Sequence, residues 1–412
     1  PFLGGLKISG ELGDNFLRYL KSTYLPSVGK SDLCSYFLRN GFNKLNNIGL
    51  IGFVTTNSIA QGDTRETGLE HILRIGGIIH YAEKFVEWKG EATVEVNLVA
   101  ISKGIEVSHC VLDNSPVPTI SSWLDDLVEF HPTKLTQNLN KAFIGDVVRG
   151  KGFIIDQTVI DYCLAIDKKY QDCIFPYLIG EDVNNDLNYK AGRNIICFED
   201  WTLDKAREYP ILLNILEKTV LPERKKIRQG RERELWWLYA RYLKKVREAT
   251  VNLKRVMVRS LVSENHMLVF VDPRQILSCK LAIFAFDNYN EFTLLQSRIH
   301  EIWLRRYATT LRTDISYTVS NCFQTFPFPQ VITEFNRIKA EKAGECFYLH
   351  RQNIQLSRHL GLTKTYNLFN NPDCKDLDIL QMREFQIAMD QSAMACYGWE
   401  DIDLQHDFYP ND

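Results

Sequence analysis

Between residues 31 and 104 the apolar positions change period several times, and each change predicts an element. Ser31-Asp32 precedes Leu33, Phe37, Leu38, Phe42 and Leu45, a helical spacing with an N-cap in front of it. Asn46-Asn47 and Gly49 end that helix. GLIGFVTTNS (49–58) reads as a buried apolar strand, and AQGDT beyond it as a polar loop. A second helix is expected from about Arg65 to Ile75, stopped by Gly76-Gly77. IIHYAEKF (78–85) and ATVEVNLVAISKG (92–104) read as strands; the latter alternates at Val94, Val96 and Leu98 and then turns fully apolar. Helices set between apolar strands predict an α/β sheet with both faces covered.

The pattern weakens after Gly104. Residues 105–140 hold Pro116, Pro118 and Pro132 and few clear periods, which predicts a linker or boundary. Residues 141–330 mix short strands, loops and one basic helical stretch, with many aromatics, among them Trp201, Trp236, Trp237, Tyr239 and Tyr242. FPFP at 326–329 breaks regular structure, and 331–412 reads mostly as helix.

Composition narrows the class. At 412 residues, with 45% hydrophobic and 24% charged, the chain is ordinary for a globular protein of roughly two or three domains. It contains no apolar run long enough to span a membrane and no signal-like start, so a cytoplasmic protein is expected. The ten cysteines form no Cys-x-x-Cys pair and the nine histidines no His-x-x-x-His pair, so no metal site is expected and the thiols read as reduced core residues.

The net charge of −2 gives no hint of a polyanionic partner, but its distribution does. From Lys218 to Arg259 there are fourteen Lys or Arg against four Glu, a local excess of ten positive charges that leaves the remainder at −12. Arg224, Lys225, Lys226, Arg228, Arg231, Arg233, Lys244 and Lys245 are the densest part and the candidates for DNA phosphates, with Arg149, Lys151, Arg247, Arg255 and Arg259 as further ones. The aromatics at 236–242 are expected beneath the basic face.

Several segments together resemble the MmeI-like group, single-polypeptide restriction–modification proteins that methylate the amino group of adenine in DNA. They are PFLGGLKISGELGDNF (1–16), SDLCSYFLRNGF (31–42), GLIGFVTTNSIAQGDTRE (49–66), WKGEATVEVNLVAISKG (88–104), IFPYLIGEDVN (174–184), LLQSRIHEIWLR (294–305), LRTDISYTVSNCFQTFPFP (311–329), LTKTYNLFNNP (362–372) and CYGW (396–399). TNSIAQG after an apolar strand, downstream of Pro1-Phe2, is the most specific of them. The resemblance implies that Pro1-Phe2 is the end of an Asn/Asp-Pro-Pro-aromatic motif, and that the cofactor-binding part of the protein precedes residue 1.

Much else follows from that resemblance. Methylating the exocyclic nitrogen of adenine requires the base to leave the duplex. An Asn/Asp side chain and a Pro carbonyl accept its amino hydrogens, and the aromatic stacks on its ring. The catalytic residues present would be Pro1 and Phe2, with Phe2 and Trp88 as the stacking walls. Asp32, Leu33 and Phe37 would border S-adenosylmethionine, which the N-terminal remainder would mainly hold. Thr55, Asn57 and Ser58, with Thr56, would form the active-site rim at a strand's carboxyl end, beside a mobile Gln61-Gly62-Asp63 loop.

The expected architecture is therefore a partial Rossmann-like methyltransferase sheet (1–104), a boundary (105–140), a mixed α+β target-recognition domain (141–330) and a helical C-terminal region (331–412). The expected partners are double-stranded DNA and the N-terminal remainder of the same protein, with no membrane. The isolated chain is expected to lack methyltransferase activity. The alternative is a non-catalytic DNA-recognition subunit, or a structural adaptor of a defence complex.

Overall fold

The computed structural model describes residues 2–88, 95–105, 108–311, 314–404 and 406. Contacts divide the chain into two compact units, Pro1–Thr133 with Arg305–Ser316, and Lys134–Leu304 with Tyr317–Asp412.

The first unit is built on a five-stranded sheet in the order Gly49–Thr56, Glu95–Lys103, Gly77–Glu87, Cys110–Leu112, Ser115–Val117. The second strand in that order, Glu95–Lys103, runs antiparallel to both long neighbours, pairing Gly49 and Gly77 alike with Lys103. The expected helices are present. Leu33–Asn43 packs Cys34, Leu38 and Phe42 onto the sheet core with Ile79, Val99 and Ile101. Its approach is close at Gly41, where a Cβ would stand 2.7 Å from the Ile51 side chain. Phe37, counted among the apolar positions, points outward at 46% exposure, and Tyr36 takes the buried place. The second helix runs from Gly62 to Arg74, with a π-helical turn at Glu66–Glu70. Gly76, with φ of +90°, ends it in the left-handed region.

The division between the units, at Thr133/Lys134, falls inside the stretch expected as a boundary, but that stretch is not all linker. Two three-residue strands within 105–140 extend the first sheet, and the unit continues to Thr133. Strands that short, one containing Pro116, are too brief to establish a period.

In the second unit, one four-stranded antiparallel sheet has the order Val269–Val271, Val256–Ser260, Leu281–Phe284, Ala142–Ile144. Every residue of Val256–Ser260 is buried, the polar Arg259 and Ser260 as well as the apolar Val256, Met257 and Val258. Another sheet joins Ile276–Leu277, Ile174–Leu178, Asn194–Ile196 and Ile154–Ile155. The helices Glu334–Arg358, Leu362–Asn370 and Leu377–Tyr397 match the helical reading of 331–412, but they belong to this same compact unit. Gly344 lets Glu334–Arg358 close on Tyr289–Gln296, since a Cβ there would meet the Thr293 hydroxyl at 2.3 Å. No helix of the described residues is long and apolar enough to cross a membrane.

Candidate functional site

The polar segment after Gly49–Thr56 gathers around Asp32. Asp32 is the N-cap residue of Leu33–Asn43, but its side chain makes no cap bond to that helix. One carboxylate oxygen instead accepts the Gly5 amide at 2.7 Å, and the other accepts the Ser58 hydroxyl at 2.5 Å. Ser58 also meets the Thr56 hydroxyl at 2.8 Å, and Thr56 lies 3.5 Å from the Cys34 thiol. Burial pushes that thiol up to about 11, away from the thiolate form. The Leu33 amide donates to the Leu3 carbonyl at 2.9 Å, and a Cβ on Gly5 would stand 2.0 Å from the Lys30 carbonyl oxygen. Residues 3–5 are thereby held beside the carboxyl end of the strand that carries Thr56.

The rim residues divide. Ser58 and Thr56 join the Asp32 cluster. Thr55 is buried, with its hydroxyl on the Asn97 carbonyl at 3.2 Å, and is part of the sheet rather than of a rim. The Asn57 amide reaches Glu95 at 3.3 Å, while its Oδ1 is buried without a partner among the described residues. Of the cofactor candidates, Phe37 is exposed, but Leu33 is core, packed with Ile8, Leu20 and Tyr36. Leu33 does not border an open pocket, because the helices Gly5–Leu12 and Asp14–Thr23 cover it. Phe2 and Trp88 are exposed at 57% and 48% and share no ring contact among the described residues. Pro1 lies outside the described residues.

The second helix, Gly62 to Arg74, carries a further arrangement that sequence reasoning missed. Arg65 is buried, 3.8 Å over the Trp123 ring, and is paired with Glu70 at 3.0 Å and Glu129 at 3.4 Å. Desolvation lowers its pKa, while the carboxylates, Glu70 first, oppose the shift. Trp123 in turn meets Tyr307 edge to face at 5.2 Å. Nothing in the sequence near Trp123 signals this, because its partners are distant along the chain.

The basic stretch is not one helix. It divides into Leu221–Lys225, Arg231–Glu234 and Lys244–Thr250. Arg224, expected at phosphates, is 3% exposed; it pairs with Glu232 and donates to the Val148 carbonyl at 3.2 Å. Arg247 is paired with buried Asp146 at 2.7 Å. Arg259 is buried beside His266. Arg231 and Arg233 are exposed, but their guanidinium groups hold backbone carbonyls of Tyr239 and Ala240, and of Ile227 and Arg228. Lys226 pairs with Glu223 at the surface. Lys225, Arg228, Lys244 and Lys245 are exposed with no intramolecular side-chain partner among the described residues. The aromatics do lie inward: Trp237 and Tyr239 are core, with Tyr239 donating to the Ile196 carbonyl at 2.8 Å. No cluster of His, Cys, Asp and Glu among the described residues could hold a metal ion.

Residues 127–330 match the family described as MmeI, target recognition domain. DNA methyltransferase A of Bacillus subtilis (strain 168) is 24% identical over 303 residues, 69% of this chain and 33% of that protein. The solved type IIL restriction-modification enzyme MmeI in complex with DNA superposes over 97% of this chain and 53% of its own, with a TM-score of 0.74 at 17% identity, a likeness of fold. The chain thus spans about half the length of that structure and a third of the curated relative.

Proposed function

We propose, from the membership of residues 127–330 in the MmeI target recognition domain family, that this chain is the DNA-recognising portion of a site-specific DNA methyltransferase of a restriction–modification or phage-defence system. The second unit binds double-stranded DNA, and the first unit forms part of the methyl-transfer site. The target atom is N6 of adenine and the methyl donor is S-adenosylmethionine, acting in the cytoplasm.

The observation that carries the reading is the junction of Gly5, Asp32 and Ser58. It fixes the peptide after Phe2 at the carboxyl end of an open-sheet strand, where ligands of α/β folds bind. Phe2 and Trp88 present exposed rings in the same unit, and stacking of a flipped base on such a ring contributes about 1–3 kcal/mol. Asp32 acts as a positioning residue, because both its oxygens are already engaged. S-adenosylmethionine supplies an electrophilic methyl group; this chain orients the base beside it. Phe37 is the cofactor-side contact that stays open.

The remainder of the catalytic domain docks on the free edge of Gly49–Thr56. That strand ends the sheet order among the described residues, with Leu50 and Val54 exposed, and an apolar unpaired edge is a template for a further strand. The test is methylation of duplex DNA by the whole protein with labelled S-adenosylmethionine, followed by nucleoside mass spectrometry. N6-methyldeoxyadenosine, lost in Phe2→Ala, is expected. Methylated cytosine refutes the choice of base, and DNA binding without methylation of any base favours a recognition subunit.

A further inference from the structure

Two open grooves in the second unit share Lys254 and Arg274, so they form one trough. The larger part, about 870 Å³, is walled by Phe270, Tyr289 and Tyr348. The smaller, about 470 Å³, is bordered by Arg247 and Thr250 of the basic helix Lys244–Thr250. Lys190, Arg247, Lys254, Arg255 and Arg274 line the trough against one carboxylate, Asp272.

Much of the hydrogen-bonding capacity there is unused. The ammonium groups of Lys190 and Lys254 have no partner among the described residues. Arg255 lies 3.8 Å over Phe270 and 4.3 Å over Tyr289; its Nε donates to the Asp287 carbonyl and one Nη to the Tyr289 hydroxyl, leaving the other Nη without an acceptor among the described residues. Gln275, only 7% exposed, lines the trough, and its carboxamide bonds to no described residue. Arg274 is held by Asp272 through a two-bonded pair, yet 87% of its side chain stays exposed. Free cations and a solvent-reaching amide, set between aromatic walls, are matched to an anionic occupant. Two adjoining open grooves suit a polymer better than an enclosed small molecule.

We propose that this trough seats the sugar–phosphate backbone of one DNA strand, as a continuation of the surface that bears Lys244 and Lys245. This rests on the reading of the second unit as DNA-binding. Lys190 and Lys254 neutralise phosphates, Arg255 and Gln275 donate hydrogen bonds, and Tyr289 borders the sugars. The sequence conceals the arrangement, because Lys190 and Arg274 stand far from the basic stretch and the fold alone joins them to it.

The test is the affinity of the full chain for a labelled duplex, measured against salt. For Lys190→Glu with Lys254→Glu, we expect affinity for a duplex of about 30 base pairs to fall at least about tenfold and the salt slope to shrink by about two, with an unchanged melting temperature. Lys339→Glu with Lys364→Glu, both on exposed helix positions outside the trough, matches the change in net charge and should leave the slope in place. Wild-type binding with an unaltered slope in the double variant overturns the trough and leaves the DNA-binding reading standing. Absence of any wild-type binding overturns both. Competition by ATP or inorganic phosphate that the double variant abolishes, with the DNA slope intact, assigns the trough to a free phosphate ligand and also overturns the proposal.

Discussion

Single residues show most clearly how side chains of one type part company in the fold. Arg224 and Lys225 are neighbours and look alike as cations, but Arg224 is committed to Glu232 and to two backbone carbonyls. Arg224→Ala should therefore cost about 1.5–3 kcal/mol in urea unfolding, the range for hydrogen bonds to charged groups, and should leave the salt slope of DNA binding alone. A lost slope with unchanged stability would reverse that assignment. Asp32 teaches the converse. The sequence reading made it a helix cap, whereas its carboxylate joins Gly5 to Ser58 instead. Replacing it with Ala leaves the Gly5 amide without its acceptor and should destabilise the first unit by about 2 kcal/mol. In the whole protein it should lower methylation more than DNA affinity, because the peptide after Phe2 loses its anchor. Equal losses in both would point to general unfolding. The partner of a buried arginine or of a carboxylate is set by distant chain, so neither role was legible from spacing.

At the level of elements, legibility followed length. The helix Leu33–Asn43 and the strands Gly49–Thr56 and Gly77–Glu87 are long enough for an apolar period, and their predicted positions agree with the structure to within a few residues. The strands Cys110–Leu112 and Ser115–Val117 are too short for one, and the π-helical turn Glu66–Glu70 leaves the apolar spacing nearly helical. Buried histidines show what packing adds. His300 is fully buried, 3.2 Å from the Tyr317 hydroxyl, with its Nδ1 unpartnered among the described residues. Desolvation holds its pKa well below the ordinary histidine value, and the neighbouring His266 and Arg259 charges push the same way. The unfolded chain takes up a proton near pH 6.5, and the folded chain does so only at much lower pH. Stability is therefore complete above about pH 6.5 and falls below it by up to about 1.4 kcal/mol per pH unit. Urea midpoints should decline from pH 7 to pH 5, and His300→Gln should flatten that decline; an unchanged profile in the variant would place the proton elsewhere.

For the whole molecule, net charge is a poor guide to partners. A chain at −2 can hold a strongly basic surface if acidic residues are placed elsewhere, and the excess between Lys218 and Arg259 marked that surface before its geometry was known. Yet the count overstated it. Arg224, Arg247 and Arg259 are structural or paired, and Arg231 and Arg233 are partly committed to backbone carbonyls. Lys225, Arg228, Lys244 and Lys245 remain exposed and unpartnered among the described residues. Each cation in contact with a duplex phosphate contributes about 0.9 to the slope of log affinity against log salt. Replacing all four with Ala should therefore reduce the slope by about three to four and weaken low-salt binding about a thousandfold, with little change in stability because none is buried. Replacing Arg224 alone with Ala should do the opposite. If the fourfold variant kept the wild-type slope, these four lysines and arginines would not contact phosphate, and the adjoining trough lined by Lys190 and Lys254 would have to carry that contact without them.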